Sequence, residues 1–204
     1  MKKSSILFTA FFGLVAFLGQ SFTVNPVNAP AIAKVDTQNS SVQWKGYKVT
    51  GEHFGVVNIK TGELTFDANG ALTGGSFTID MNTITVLDLT GGGKEKLEGH
   101  LKSDDFFGVN NFPAAKFVIT KAIPRGKPGE YKIVGNLTIK ETTKEIKFDA
   151  NLTEAGKTVT ANANVRIDRS DFNVRYGSGS FFDGLGDKTI YDEFDLTIKL
   201  TANK

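Results

Sequence analysis

The chain has 204 residues, of which 40% are hydrophobic and 23% are charged, and its formal net charge is +2. This composition excludes a disordered tail, a collagen and a coiled coil, and the nearly balanced charge gives no electrostatic reason to expect nucleic acid as a partner. The length favours a single domain. Because the chain has no cysteine, its stability must come from a hydrophobic core and from backbone pairing.

The amino-terminal segment has the composition of an export signal. A pair of lysines precedes an apolar run over residues 6–18, and residues 31–33 (Ala-Ile-Ala) supply small side chains at the two positions that signal cleavage requires. We predict that residues 1–33 are a secretory signal peptide and that residues 34–204 form the mature domain. The protein is then periplasmic or secreted, with no integral membrane span after cleavage.

Alternation of apolar and polar residues dominates the rest of the chain. Such a period of two indicates antiparallel strands with one apolar face and one solvated face. The apolar positions of these segments are Val42, Trp44, Val57, Ile59, Phe77, Ile79, Met81, Tyr131, Ile133, Leu137, Ile139, Ile146, Phe148, Ala150, Leu152, Val159, Ala161, Ala163, Val165, Ile167, Phe194, Leu196, Ile198 and Leu200.

Short loops with turn-forming residues connect the predicted strands. Residues 67–70 (Asp-Ala-Asn-Gly) and 154–157 (Glu-Ala-Gly-Lys) are typical of hairpins, and a Pro/Gly turn covers residues 124–129. One helix is predicted over Lys94–Asp104, where two leucines lie four residues apart behind a run of three glycines that acts as a helix breaker.

About eight strands and one short helix leave two architectures, a two-sheet sandwich and a closed barrel. A closed barrel of about eight strands has no edges and can hold one small ligand. Several inward positions carry small residues, among them Gly135, Ala150, Ala161 and Ala163. These residues either leave space for a ligand or fit the taper of a fully packed barrel.

The long glycine-rich loop before the last strand is rich in aromatic residues. It contains Phe172, Tyr176, Phe181 and Phe182. Loops of this length in a compact domain tend to be functional or disordered, and aromatic residues argue against disorder. The loop therefore either plugs one end of the barrel or forms a mouth for an apolar ligand. The segment 169–171 (Arg-Ser-Asp) before it is interpreted as a structural side-chain pair that fixes the exit of the preceding strand.

No segment carries a convincing catalytic constellation. The chain has no Gly-x-Ser-x-Gly elbow, and the P-loop-like residues 151–158 join two strands, which assigns them to a hairpin. His53 and His100 have no second histidine at helical spacing. We therefore predict no catalytic residues, no metal site and no cofactor, which favours a binding protein over an enzyme.

Several segments occur in the order found in a known family, and the chain resembles the YceI-like family of exported lipid- and polyisoprenoid-binding proteins. The resemblance extends from about residue 34 to residue 200. It implies an all-β fold, an antiparallel eight-stranded lipocalin-like barrel with one short helix, and a long apolar pore for an isoprenoid chain in the periplasm. The segments that carry it are residues 35–44 (VDTQNSSVQW), 99–107 (GHLKSDDFF), 111–117 (NFPAAKF), 135–140 (GNLTIK) and 167–172 (IDRSDF).

On these grounds we expect a protein that carries or sequesters an isoprenoid or other long-chain lipid, because burying each CH₂ group is worth about 0.8 kcal/mol. The alternatives are a lipid-modifying enzyme with His53 or His100 as base, and a filled-barrel structural protein of the stress response. The predicted ligand-binding residues are inward apolar side chains and aromatic loop residues: Trp44, Phe77, Ile79, Met81, Phe106, Phe107, Phe117, Ile133, Leu137, Phe148, Ala161, Ala163, Phe181 and Phe182.

Overall fold

A computed structural model of the protein describes residues 29–204. Most of the predicted signal peptide, residues 1–28, lies outside the described residues. Within the described part the chain forms nine strands, one α-helix and two short 3-10 turns. Their bounds are β1 Ala31–Val35, β2 Ser41–Lys48, β3 Gly51–Phe66, β4 Leu72–Val86, α1 Gly91–Lys102, β5 Ala114–Pro124, β6 Glu130–Ile139, β7 Thr142–Ala155, β8 Thr158–Asp168, the 3-10 turns Arg169–Phe172 and Gly186–Lys188, and β9 Ile190–Asn203.

Eight strand positions close into an antiparallel barrel. The order around it is β3, β2, β9, β8, β7, β6, β5 and β4, and β4 pairs again with β3. The ninth strand, β1, lies between β3 and β9, as β2 does. The two strands pair with different parts of β3 and β9 along the barrel axis, so they count as one position in the barrel. The predicted all-β class and eight-stranded closed barrel are confirmed, and β1 and β5 are the strands that the alternation pattern did not indicate.

The period of two decides which side chains point into the barrel. In β8 the side chains at alternate positions from Val159 to Ile167 are buried or half-buried, whereas those from Thr160 to Arg166 are exposed. Successive residues of a strand point to opposite faces, so one face becomes the core and the other meets solvent. The inward orientation predicted for Ala161 and Ala163 is therefore confirmed.

The predicted hairpin loops form where the turn residues indicated them. Between β3 and β4, the Asp67 carboxylate accepts hydrogen bonds from the backbone N–H groups of Asn69 and Ala71, at 2.8 and 2.9 Å. Between β7 and β8, Gly156 takes a φ of +62°, which only glycine adopts without cost. The P-loop-like residues 151–158 belong to this hairpin, as expected.

Helix α1 begins and ends earlier than the predicted Lys94–Asp104. The glycine run that was expected to break the helix forms its first turn instead, where backbone N–H groups have no intrahelical partner in any helix. The helix ends because Ser103 is extended, and both its N–H and its hydroxyl donate to the carbonyl of His100. The N–H of Val86 donates to the Glu98 carboxylate at 2.8 Å and ties the helix to the end of β4.

Two apolar clusters divide the barrel interior along its axis. The closed end carries the hairpins β3–β4, β5–β6 and β7–β8, and its cluster includes Phe66, Leu72 and Ile133. The open end carries α1 and the loop 169–189, and its cluster includes Val86 and Phe172. The short loops allow the closed end to fill with its own side chains, whereas the longer segments at the open end arch over it.

Three phenylalanines lie between the two clusters. The ring centroids of Phe77 and Phe117 are 6.4 Å apart, and those of Phe117 and Phe148 are 5.5 Å apart. The rings of Phe117 and Phe148 pack against both clusters. We call these three side chains the partition, because they separate the filled half of the barrel from the half that contains the cavity described below. Among residues 29–204 no helix is long and apolar enough to cross a membrane.

Candidate binding site

The open half of the barrel contains a cavity of about 470 Å³, within the usual range for small-molecule sites. Its walls come from the inward faces of β2 to β6 and β9, and its cover comes from α1 and the loop 169–189. Most of the lining is aliphatic or aromatic: Val42, Trp44, Val57, Ile79, Met81, Ile84, Leu89, Leu97, Leu101, Phe106, Phe107, Ala115, Leu137, Ile139, Ile190, Phe194 and Leu196.

Helix α1 lines the cavity with one stripe of its surface. The stripe consists of Gly93, Lys96, Leu97, His100 and Leu101, whose spacing of three and four residues places them on the same helix face. The two leucines continue the apolar wall of the barrel. The lysine and the histidine bring polar groups to a cavity that is otherwise mostly apolar.

A histidine–aspartate pair stands at the mouth. His53 Nδ1 lies 2.7 Å from Asp88 Oδ2, and the backbone N–H of Phe54 donates to Asp88 Oδ1 at 3.0 Å. Burial acts to raise the pKa of Asp88, but the hydrogen bonds from His53 and from Phe54 hold it below the usual value. An ionised carboxylate only accepts hydrogen bonds, so His53 Nδ1 carries the proton and the ring orientation is fixed.

Two lysines add positive charge to the lining. Lys48 is the last residue on the inward face of β2 and is half-buried, whereas Lys96 on α1 is exposed. Neighbouring lysines are paired, Lys45 with Glu52 and Lys94 with Glu98. Within residues 29–204, neither Lys48 nor Lys96 forms such an ion pair, so both ammonium groups are available at the rim.

Arg169 borders the cavity, but its guanidinium is already occupied. It donates to the carbonyls of Val174, Ile190 and Tyr191 at 2.8, 2.9 and 3.2 Å, and it lies 3.2 Å from Asp192 Oδ1. Burial lowers the pKa of the guanidinium, which nevertheless stays charged at any physiological pH. Arg169 thus closes the loop 169–189 at its base.

The segment 169–171 is therefore structural, but its pairing differs from the prediction. Arg169 pairs with Asp192, across the loop, whereas Asp171 lies 3.8 Å from Lys144. The sequence interpretation was restricted to neighbours along the chain, and the true partner is reached only when β9 returns beside β8. The loop 169–189 both plugs one end of the barrel and borders the cavity, the two roles considered for it from the sequence. Phe172 plugs the open-end core, and Tyr176 borders the cavity.

The structure brings one group of the predicted ligand-binding residues together around the cavity. This group consists of Trp44, Ile79, Met81, Phe106, Phe107 and Leu137. They come from three strands and from the segment after α1, so the barrel, rather than proximity in sequence, assembles them. Contact of these residues with a ligand remains a prediction.

The other predicted residues lie elsewhere. Phe77, Phe117 and Phe148 form the partition, and Ile133 belongs to the closed-end cluster. Ala163 packs against both clusters, and Ala161 points inward on the same strand without lining the cavity. In the loop, the side chains of Phe181 and Phe182 are 39% and 50% exposed and do not line the cavity.

The expected long pore is thus confined in this structure to the open half of the barrel. The physical reason is the partition, which places three large rings across the middle. Sequence reasoning also missed the cavity face of α1, and the signal was present, because Gly93, Leu97 and His100 recur at helical spacing. His53 and His100, considered as surface or mouth residues or as bases, both line the cavity.

The polar groups of the cavity, among them Lys48, His53 and His100, can orient a ligand. The lining contains no serine, threonine or cysteine side chain in the described part of the chain. No group of three or more His, Cys, Asp or Glu side chains that could hold a metal ion occurs among residues 29–204. The His53–Asp88 pair is the arrangement there that most resembles a general base.

Comparisons with known proteins agree on one family. A family model described as the YceI-like domain matches residues 34–202. The UPF0312 protein of Shewanella denitrificans is 31% identical over 150 residues, which are 71% of this chain and 74% of that relative. A UPF0312 protein of Staphylococcus aureus is 43% identical over 63 residues, 31% of this chain and 33% of that relative.

Solved structures share the barrel. BcnA of Burkholderia cenocepacia superposes with a TM-score of 0.68 at 24% identity, covering 83% of this chain and 99% of that one. A polyisoprenoid binding domain from Saccharophagus degradans gives 0.61 at 12% identity, covering 84% of this chain and 97% of that one. A YCEI protein of Campylobacter jejuni gives 0.53 at 20% identity, covering 94% and 93%. At these identities the likeness is one of fold.

Proposed function

Because the chain belongs to the YceI-like domain family, we propose that it binds an isoprenoid or similar long-chain lipid in the cavity at the open end of the barrel. The observation that carries this proposal is the cavity itself, about 470 Å³ with walls of aliphatic and aromatic side chains. A neighbour of the same fold is a polyisoprenoid binding domain, which supports the choice of lipid class. The protein acts as a carrier or a sequestering protein.

The energy of binding comes from removing the lipid chain from water. Each buried CH₂ group contributes about 0.8 kcal/mol, and this contribution needs no directional contact with the wall. The partition sets the depth that the chain can reach. We therefore propose that the protein selects lipids by the length of chain that fits between the partition and the mouth, with the remainder extending through the mouth.

The cavity also bears on the alternatives. A filled-barrel structural protein would have both halves packed, whereas only the closed half is filled here. A lipid-modifying enzyme would use His53, whose ring is oriented by Asp88, but no serine, threonine or cysteine of the described residues lines the cavity to act as nucleophile. Binding without turnover accounts for both features.

We propose that the protein works outside the cytoplasm, after removal of its amino-terminal signal. The proposal rests on the paired lysines and the apolar run over residues 6–18.

The proposed function is tested by mass spectrometry of organic extracts from the purified protein, together with a variant that fills the cavity. Ala115→Phe adds a ring at a small residue of the cavity wall, so bound lipid should fall sharply while the delipidated protein stays folded. Ala150→Phe is the matched control in the closed-end cluster, where extra volume overpacks the core and costs about 1–3 kcal/mol of stability.

The two variants separate binding from packing. Loss of lipid with retained melting temperature in Ala115→Phe, and loss of melting temperature in Ala150→Phe, support a ligand cavity at the open end. Equal destabilisation by both variants, with no lipid in the wild-type extract, would identify a filled barrel instead.

A further inference from the structure

We propose that the open end of the barrel docks on a membrane surface through exposed apolar side chains beside the mouth of the cavity, so that the lipid passes directly between the bilayer and the cavity. We call these side chains the mouth patch, which consists of Val49, Tyr176, Phe181, Phe182 and Tyr191. The proposal rests on the proposed function and deepens it, because it assigns the source from which the protein takes its ligand.

Large exposed apolar side chains are concentrated at the open end. Those of the mouth patch are 39% to 51% exposed. Phe54 and Leu87 are also exposed and lie at the same end of the barrel. Elsewhere in residues 29–204 the exposed large apolar side chains are scattered: Ile32 on β1, and Val118 and Ile123 on β5. Single exposed apolar residues need no explanation, whereas a group of them beside a cavity marks an interaction surface.

Backbone hydrogen bonds bring the mouth patch together from three segments. The N–H of Val49, in the turn between β2 and β3, donates to the carbonyl of Thr189 at 3.1 Å. The N–H of Ile190 donates to the carbonyl of Gly177 at 2.8 Å, which ties the loop 169–189 to the start of β9. The turn, the loop and the first residues of β9 therefore adjoin one another at the mouth.

The two phenylalanines are presented by an anchored part of the loop. Ser178 is fully buried, and its carbonyl accepts hydrogen bonds from the N–H groups of Phe181 and Phe182, at 3.2 and 3.0 Å. The Ser180 hydroxyl donates to the carboxylate of Asp192 at 2.6 Å. The backbone is thus held from both sides, and both rings remain outside the cavity, where they are free to meet a surface.

The mouth patch is continuous with the cavity. Tyr176 and Tyr191 line the cavity and are also 47% and 51% exposed to solvent. A lipid chain that moves past them stays in contact with apolar surface. This matters because exposing each CH₂ group to water costs about a factor of four in the equilibrium constant. The proposed ligand is itself a component of bilayers, so the surface that adjoins its route into the cavity fits a bilayer.

The chemistry of the mouth patch is that of a membrane interface. A tyrosine ring has an apolar body and a polar tip, which suits the level of the lipid head groups, and phenylalanine rings suit the acyl boundary below it. The charges of residues 175–188 balance, with Arg175 and Lys188 against Asp183 and Asp187. Docking therefore depends on burial of the rings, and it does not require anionic lipids.

The test uses phosphatidylcholine vesicles that carry a dansyl-tagged isoprenoid alcohol. Flotation measures how much of the delipidated protein is bound to the vesicles. Energy transfer from Trp44, which lines the cavity and is the only tryptophan of the chain, measures uptake of the probe. The same probe delivered from cyclodextrin gives the affinity of the cavity without a membrane. We expect the wild-type protein to float and its uptake rate to rise with vesicle concentration.

A double variant removes two rings of the mouth patch without touching the cavity. Phe181→Ser with Phe182→Ser should lower the vesicle partition constant about tenfold or more and slow uptake from vesicles. Its affinity for the probe delivered from cyclodextrin should not change, since neither ring lines the cavity. Val118→Ser with Ile123→Ser is the matched control on β5, with side chains 46% and 44% exposed, and should leave flotation and uptake as in the wild type.

Circular dichroism and melting curves verify that each variant is folded. If the wild-type protein does not float, or if the β5 control loses as much as the double phenylalanine variant, membrane docking is refuted while binding from cyclodextrin upholds the proposed function. If flotation requires phosphatidylglycerol and is lost in high salt, charge and not the rings causes docking, which refutes the mouth patch.

Two further outcomes overturn the proposal. If the wild-type protein forms a dimer in sedimentation velocity that the double phenylalanine variant abolishes, the mouth patch is an interface between copies of this chain. If the probe does not bind even from cyclodextrin, the proposed function fails together with the docking surface.

Discussion

At the scale of single residues, the polar groups near the cavity perform two different tasks. Arg169 is 3% exposed and donates its hydrogen bonds to other groups of the protein, so it stabilises the loop that covers the cavity. Trp44 and His100 keep a nitrogen without a partner among the described residues. Residue type alone does not separate these roles, because the sequence would equally suit an arginine that binds an anionic ligand at the cavity wall.

Replacing Arg169 by methionine should destabilise the protein by about 3–5 kcal/mol, because Asp192 and three backbone carbonyls lose a buried partner. Urea unfolding followed by circular dichroism measures the change. Arg166→Met is the control, since Arg166 is 60% exposed in its ion pair with Asp195 and should cost at most about 1 kcal/mol. Similar effects of the two variants would show that Arg169 does not fasten the loop.

A second residue-scale prediction concerns acid stability. Arg166 and Tyr47 donate hydrogen bonds to Asp195 and hold the pKa of its carboxyl below the usual value of 3.8. A carboxyl whose pKa is depressed on folding adds stability above its unfolded value, and this stability is lost as the pH falls through the folded value. Asp195→Asn should therefore lower the melting temperature at neutral pH.

The difference between Asp195→Asn and the wild-type protein should shrink as the pH falls below 3.8. Melting curves across the acid range measure it. A difference that stays constant down to the lowest pH would mean that the carboxylate charge of Asp195 contributes nothing to stability. A difference that grows at low pH would mean that folding raises the pKa of Asp195 instead of lowering it.

At the scale of elements, β1 overlaps the predicted cleavage site of the signal. The bond after Ala33, where cleavage is predicted, lies within β1, and Ala33 is fully buried and paired with Leu64 of β3. A mature chain starting at Lys34 would lack most of this pairing. Ala29 and Ala31 offer the same spacing of small residues two residues earlier, with cleavage before Ile32.

The sequence motif predicts a mature protein that begins at Lys34, whereas the burial of Ala33 favours a start at Ile32, and amino-terminal sequencing of the exported protein decides between the two. A recombinant chain starting at Lys34 should unfold at lower temperature than one starting at Ile32, because the burial of Ala33 is lost. Equal melting temperatures would show that the start of β1 is dispensable. A retained Met1 would refute export with cleavage altogether.

At the scale of the whole molecule, the barrel is asymmetric. Short hairpins close a filled half, and α1 with the loop 169–189 covers a half that contains a cavity. The partition of Phe77, Phe117 and Phe148 is the boundary between them. The ring of Phe117 fits there because residue 135 is glycine, whose added Cβ would lie 2.5 Å from that ring.

Removing the ring of Phe117, the central ring of the partition, should extend the cavity from the open half of the barrel into the closed half. Phe117→Ala is expected to cost about 3–5 kcal/mol of stability and to shift the bound lipids toward longer chains. Mass spectrometry of the extracted lipids, beside urea unfolding, measures both effects. Phe66→Ala, in the closed-end cluster, is the control that should destabilise without changing chain length. An unchanged lipid profile in Phe117→Ala would mean that the partition does not limit the ligand.

The amino-acid sequence was enough to predict the class of fold and the family. Alternation along each strand decides which side chains face inward, since this property is local and depends only on the period of the backbone. Thus the inward orientation of Ala163 and the hairpin at Gly156 were predictable, as was the YceI-like resemblance from segments such as residues 99–107.

The position of each inward residue along the barrel axis depends on the folded arrangement of the strands and was not predictable from the sequence. Ile79 and Phe77 are two residues apart on the same face of β4, yet the first lines the cavity and the second belongs to the partition. Their heights relative to α1 and to the other strands follow from the registers in which β4 pairs with β3 and β5, and the alternation within a single strand does not fix a register. For the same reason the sequence did not reveal that Arg169 pairs with Asp192, or that Trp44 and His100 line one cavity.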